Sequence, residues 1–322
     1  MRFRNWLAIL AGVLPMSLVV ILVFLTVYAW PAIRFNGWGF AIRDMWNLGN
    51  LYADPVMSGN VSIQPGAEYG ILFLIAGTLL STVIALLVAI PVGAGAAVFL
   101  AEAVPGQLRI WISLFVELLA AIPSVVFGLW GYVVLIPFLG HHVFPFLSST
   151  LSVVPFFGGP PGSGYGLLTA GIVLAMMVVP LITATLRDAL VSQPVALKEA
   201  SIALGATRFE AIRYILLPRT RGVLIGATFL ALGRALGETM AVLMVSGNAL
   251  NYLPQNIYSP ISTMAAFIVS QLDSALQDPS GLAVRSLAEI ALVLCVISIL
   301  VNAAARLMLA AWGRTLSTVG GA

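Results

Sequence analysis

Charge is what this sequence has least of. Only 8% of its 322 residues are charged and 61% are hydrophobic, and the mean hydropathy is +1.06. A soluble domain typically carries about 25% charged residues. So few charges cannot cover an aqueous surface, which excludes a soluble globular protein and leaves an integral membrane protein. Cysteine is almost absent as well. Cys295 stands alone in an apolar run, so it forms no internal disulfide and reads as a small apolar filler. Lysine occurs once, as Lys198, after "SQPVAL" and with no glycine before it. A phosphate-cradling P-loop ends in Gly-Lys-Ser/Thr, so ATP hydrolysis of that kind is excluded. His141 and His142 are adjacent. Neighbours on a helix or strand point apart, and the pair is expected in a loop, not on a metal. The spans contain no nucleophile–base pair or metal cluster. The chain is therefore expected to be non-catalytic, to hold no cofactor and to bind no nucleic acid.

Against these absences stand six apolar runs, at roughly 7–30, 70–100, 110–139, 166–186, 222–248 and 286–312. Each is long enough for a span of about 20 residues. They predict an all-α, multi-pass membrane protein forming one transmembrane domain over 1–322. The first run exceeds the roughly 7–15 residues of a signal-peptide core and is expected to be a retained span. Pro15, Pro91, Pro123 and Pro180 fall inside the runs, as membrane helices tolerate. Eleven Lys and Arg residues flank one side, at both termini, Arg109 and the 187–221 loop, against three on the other. The positive-inside rule then places both termini and that loop in the cytoplasm. The opposite loops, 31–69, 140–165 and 249–285, are turn-rich, and Ser259–Leu272 has the pattern of a short half-helix. The glycines of "FFGGPPGSGYG", Phe156 to Gly166, read as turn chemistry.

Two charges interrupt the fifth run, in "GRALGETMAV". On a continuous helix Arg234 and Glu238 share a face one turn apart. Gly222, Gly226, Gly233 and Gly237 form a small-residue seam beside them, suited to close helix packing. A charge at bilayer depth costs at least about 2.5–3.5 kcal/mol, so this helix faces protein or a cavity, not lipid. The pair is either a structural ion pair or an anion site on a translocation path. Guanidinium suits an oxyanion because it is permanently charged, planar and donates two parallel hydrogen bonds. Glu238 would then hold Arg234 when the path is empty, or accept a hydrogen bond from a protonated oxyanion. Glu117 is expected to pair with a neighbouring helix or an interfacial base. Asp273 and Glu289 are expected to be solvated near the outer surface.

The 187–221 loop carries the most specific pattern, "EASIALGATRFEAIRYILLP". Ser192 and Pro194 start a first short helix and Gly205 stops it. Thr207 and Glu210 form a capping box for a second, which Pro218 is expected to end. Ala200, Ser201 and Ala203 offer small side chains to a partner's groove. The order Glu199-Ala200-Ser201, Gly205, Ile215 and Pro218 resembles the EAA loop of ABC importer permeases, with Ser201 in place of the usual alanine. "PVGAGAAVFLAE", "ELLAAIPSVVFGLWG", "MVVPLITATLRDAL" and "LGRALGETMAV" resemble the PstC-type permeases of the high-affinity phosphate importer across roughly 70–313.

The resemblance implies the MetI-like fold of type I ABC importers in a bacterial inner membrane, with the 187–221 loop as coupling helix. It also implies a heterodimer with a PstA-type permease, two PstB-type ATPases that use ATP and Mg, and a PstS-type phosphate receptor. Inorganic phosphate would be the substrate, with Arg234 and Glu238 on its path. The alternatives are a permease for another oxyanion or a phosphonate, or an ATPase-independent secondary transporter. The latter often shows inverted repeats, and none is visible here.

Overall fold

The computed structural model describes the backbone of residues 2–58 and 61–319, and side chains between 12 and 307 apart from 14, 59, 60 and 305. The side chains of Arg2, Arg4 and Arg314, used in the orientation count, lie outside the described residues. The helices are α1 (Arg2–Asn36), α2 (Gly39–Ile42), α3 (Leu72–Glu102), α4 (Gly106–Ala121), α5 (Ser124–Trp130), α6 (Ile136–Phe138), α7 (Phe144–Thr150) and α8 (Leu167–Val191). They continue with α9 (Val195–Ala203), α10 (Arg208–Ala211), α11 (Leu217–Leu236), α12 (Met240–Val245), α13 (Met264–Leu276) and α14 (Leu282–Val319). Two small antiparallel ribbons, Trp46–Asn47 with Glu68–Tyr69 and Val56–Ser58 with Val61–Ile63, sit between α2 and α3.

Six helical stretches among the described residues are long and apolar enough to cross a membrane: Pro15–Asn36, Leu72–Glu102, Ser124–Thr150, Leu167–Val191, Arg208–Leu236 and Leu282–Ala304. The expected six spans are present, with shifted bounds. The expected run at 110–139 breaks at Ile122–Pro123. Pro123 disfavours helical geometry in the residue before it, and Ile122 is extended (φ −61°, ψ 131°). α4 is thus a separate helix, and the spanning piece runs on through π-helical turns at Gly131–Leu135 and Leu139–Val143. His141 and His142 lie in the second of these turns, not in a loop. Pro218 does not end a helix either. It sits in the first turn of α11 after a π-helical turn at Ile212–Leu216, where its missing N–H is tolerated.

The core lies along α3 and α8, against α11 and α12. In a bilayer, helices associate by close van der Waals packing and not by a hydrophobic drive, and small residues make the approach possible. A Cβ at Gly93 would stand 3.0 Å from Ile182, and one at Gly171 would collide with Ile84. A second cluster, at the α3 N-terminal end, seats the expected half-helix, α13, capped by the Thr263 hydroxyl. Trp46 packs edge-on to Tyr69 and Phe267 at 4.9 and 5.1 Å. Burial, with Asp278 nearby, pushes the Tyr69 phenol well above its usual pKa. Glu289 departs from the expected solvated position. It is 5% exposed and accepts a hydrogen bond from Asn36 at 2.8 Å, because α14 lays this face against α1.

Candidate translocation and coupling sites

Arg234 lies in the last turn of α11, which ends at Leu236 with Gly237 as its C-cap. Glycine is the residue that most readily leaves a helix, and "GET" is where the expected 222–248 helix stops. Glu238 therefore does not sit one turn above Arg234 on a shared face. Its Oε1 instead accepts the Ala241 N–H at 3.3 Å and caps α12, whose first amides lack partners inside the helix and favour a negative charge. The expected Arg234–Glu238 ion pair is absent: the ion pairs among the described residues join other groups. Arg234 is exposed and makes no hydrogen bond or ion pair with a described residue. It opens on a cleft of about 450 Å³ lined by Leu181, Phe229, Leu230, Gly233 and Asn302.

The glycine seam has no tight neighbour among the described residues. A Cβ at Gly222 or Gly226 would meet nothing within 4 Å, and one at Gly233 would meet only Asn302 Nδ2, at 3.7 Å. Gly237 faces its own backbone, with Gly233 O at 3.8 Å from such a Cβ. A fully charged guanidinium and an open glycine face thus lie on one helix. That arrangement is stable at bilayer depth only beside a polar ligand, water or another protein surface.

On the other side of the sequence-predicted site, local rules hold closely. α9 ends at Ala203 with Leu204 as its C-cap, and Gly205 follows with φ +91°, a left-handed conformation that favours glycine. At its start Pro194 is the N-cap, but Ser192 does not take part: it closes α8 and donates to Ala189 O at 3.0 Å. Thr207 Oγ1 accepts the Glu210 N–H at 3.3 Å, and Glu210 Oε2 accepts the Thr207 N–H at 2.8 Å, completing the capping box. Glu199, Ala200, Ala203 and Gly205 are exposed together with Ile202 and Leu204, which leaves a largely apolar surface with one acidic residue. Ser201 is not part of it. The helix turns Ser201 inward, where it is 4% exposed and donates to Lys198 O at 2.7 Å. Ile215 and Pro218 are half-buried and anchor the loop to α11.

Two anchors escaped the sequence reading. Lys198 pairs with Glu102 at the end of α3, and Gln193 Nε2 donates to Leu216 O at 3.0 Å. The single lysine among the 15 basic residues is the available signal. Glu117 pairs with Arg187 Nη2 at 3.0 Å, joining α4 to α8 as expected of it, and Asp188 takes the same guanidinium at 2.6 Å.

A helical bundle of spans, an exposed helix–glycine–helix loop and a spanning-helix arginine without a partner among the described residues fit a multi-pass transport permease. Residues 89–316 match the family described as binding-protein-dependent transport system inner membrane component. The chain is 46% identical over 320 residues to "Phosphate transport system permease protein PstC 1" of Mycobacterium tuberculosis, covering 98% of this chain and 95% of the relative. It is 38% identical to the PstC permease protein of Haemophilus influenzae, covering 95% and 92%. In fold it is similar to an inward-facing MetNI methionine ABC transporter chain, with a TM-score of 0.51 at 18% identity over 74% of this chain and 95% of that one. The chain belongs to the PstC-type permeases of the binding-protein-dependent transport family.

Proposed function

We propose that this chain is the permease subunit of an ATP-driven importer that moves inorganic phosphate into the cytoplasm by alternating access. The observation that carries the reading is Arg234, a permanent cation with no partner among the described residues, aimed into a cleft at the end of a glycine-faced span. A guanidinium without a partner among the described residues is free to donate a bidentate pair of hydrogen bonds to an oxyanion. Glu238 accepts the Ala241 N–H instead and forms no ion pair with Arg234.

The exposed face of α9 suits an ATPase subunit. Lys198–Glu102 and Gln193–Leu216 tie that face to α3 and α11, so a push on α9 reaches the helix that carries Arg234. In the complete importer the partners are a PstA-type permease, two PstB-type ATPases that use ATP and Mg, and a PstS-type phosphate receptor outside. The chain itself is non-catalytic, and both termini face the cytoplasm of a bacterial inner membrane. Reconstitution of the four components in liposomes tests the reading. Phosphate, and not sulfate, is expected to stimulate both ATP hydrolysis and uptake; equal stimulation by sulfate defeats phosphate as the substrate, and uptake without the ATPase defeats the coupled mechanism.

A further inference from the structure

Polar side chains are sparse on the spanning helices, and α14 gathers three of them on one face. Ser298, Asn302 and Arg306 follow one another at intervals of four, so they stack along the helix. All three line an open, mostly apolar groove that also reaches Gly237, at the end of α11. Asn302 is shared by that groove and the cleft of Arg234. It approaches α11 where a side chain is missing: Asn302 Nδ2 stands 3.7 Å from the point where Gly233 would carry a Cβ. Neither Arg234 nor Arg306 has a hydrogen-bond or ion-pair partner among the described residues, so the carboxamide lies between two free cations.

The orientation of that carboxamide restricts what it does. Nδ2 donates to Ser298 O, one turn back on α14, at 2.8 Å. Oδ1 has no donor among the described residues, and it is the part of Asn302 left to meet a ligand. It is a neutral acceptor. A carboxylate here would pair with the flanking arginines and occupy the cleft, whereas an amide oxygen leaves their charge available.

We infer that Asn302 is the proton-reading acceptor of the Arg234 cleft. The arginine donates to the anionic oxygens of phosphate, and Asn302 Oδ1 accepts from the P–O–H that phosphate retains near neutral pH. Sulfate has no such hydrogen, so its oxygen lone pairs would face Oδ1 without a bond. This assigns to Asn302 the acceptor role that the sequence alone offered to Glu238, which the structure spends on α12. The inference rests on the reading that Arg234 lies on the phosphate path.

The test is phosphate uptake per assembled complex in liposomes holding the full transporter. Asn302→Asp, →Leu and →Ser are compared with Arg234→Gln. Loss of one hydrogen bond to a charged ligand is expected to lower uptake about tenfold to a hundredfold. A proton-reading role ranks Ser and Asp above Leu, because a hydroxyl or carboxylate oxygen still accepts from P–O–H and Leu does not. A packing role ranks Leu and Asp above Ser, because both keep the volume of Asn and Ser leaves a gap. Uptake by Asn302→Leu within about twofold of wild type, alongside an inactive Arg234→Gln, overturns this inference alone. Normal uptake by Arg234→Gln overturns the path reading and the inference with it.

Discussion

Arg187 and Arg234 stand near the ends of adjacent spanning helices and have opposite surroundings. Arg187, at the end of α8, is 7% exposed and donates to Glu117 on α4 and to Asp188. Arg234, at the end of α11, is exposed to a cleft and donates to no described residue. One guanidinium is committed to holding helices together, and the other is kept available. The difference teaches that a charge on a spanning helix does not by itself mark a path. Under the proposed function, the path is marked by charge without a partner among the described residues.

Swapping either arginine for glutamine is the strongest way to break this comparison. Arg234→Gln is expected to abolish phosphate uptake while the complex assembles normally by size-exclusion chromatography; normal flux would remove Arg234 from the path. Arg187→Gln is expected to do the reverse. It strands a carboxylate pair, and with Glu117 and Asp188 both more than half exposed the loss is about 1–3 kcal/mol, read as a lower melting temperature of the complex. Transport per folded complex should stay near wild type, and a transport defect at full stability would make Arg187 more than a strut.

Lys198→Met sharpens the contrast from the cytoplasmic side. Removing the tie to Glu102 should leave α9 able to dock but poorly linked to α3, so that more ATP is hydrolysed per phosphate moved. The charge-reversed pair Lys198→Glu with Glu102→Lys should restore the ratio; no restoration would mean that the ion pair does not transmit movement. Glu238 comes next. Glu238→Gln keeps an oxygen for the Ala241 N–H and should cost little stability, whereas Glu238→Ala loses the cap, worth about 0.5–2 kcal/mol. Uptake defects in both variants at equal stability would mean that the charge matters and not the cap. The smallest effect on the chain itself is expected from Gly226→Ala. Nothing within 4 Å opposes a methyl group there, and Ala gains up to about 1 kcal/mol of helix propensity. If pull-down of the second permease weakens nonetheless, the open glycine face is the heterodimer seam.

Legibility followed the range of the interactions. Gly205, the Thr207–Glu210 box and the α13 half-helix were readable because caps and periodicity act within a few residues. The breaks at Pro123 and at Gly237-Glu238-Thr239 are hidden in the sequence although their residues are punctuators, because apolar runs continue across them and hydropathy does not register a change of direction. The small size of Ser201 suggests an outward position, yet helix phase turns it inward.

By itself the amino-acid sequence determined that this is a membrane protein of six spans, that it lacks a P-loop, and that its 187–221 loop forms two capped helices around Gly205. Those properties follow from composition and from contacts between near neighbours in the chain. Tertiary structure alone decided which charges meet. It paired Arg187 with Glu117 and Lys198 with Glu102, turned Glu238 to the α12 amides, and brought Asn302 of α14 beside Gly233 and Arg234 of α11. Partners so far apart in the chain are chosen by how helices pack, and spacing along one helix carries no record of that choice.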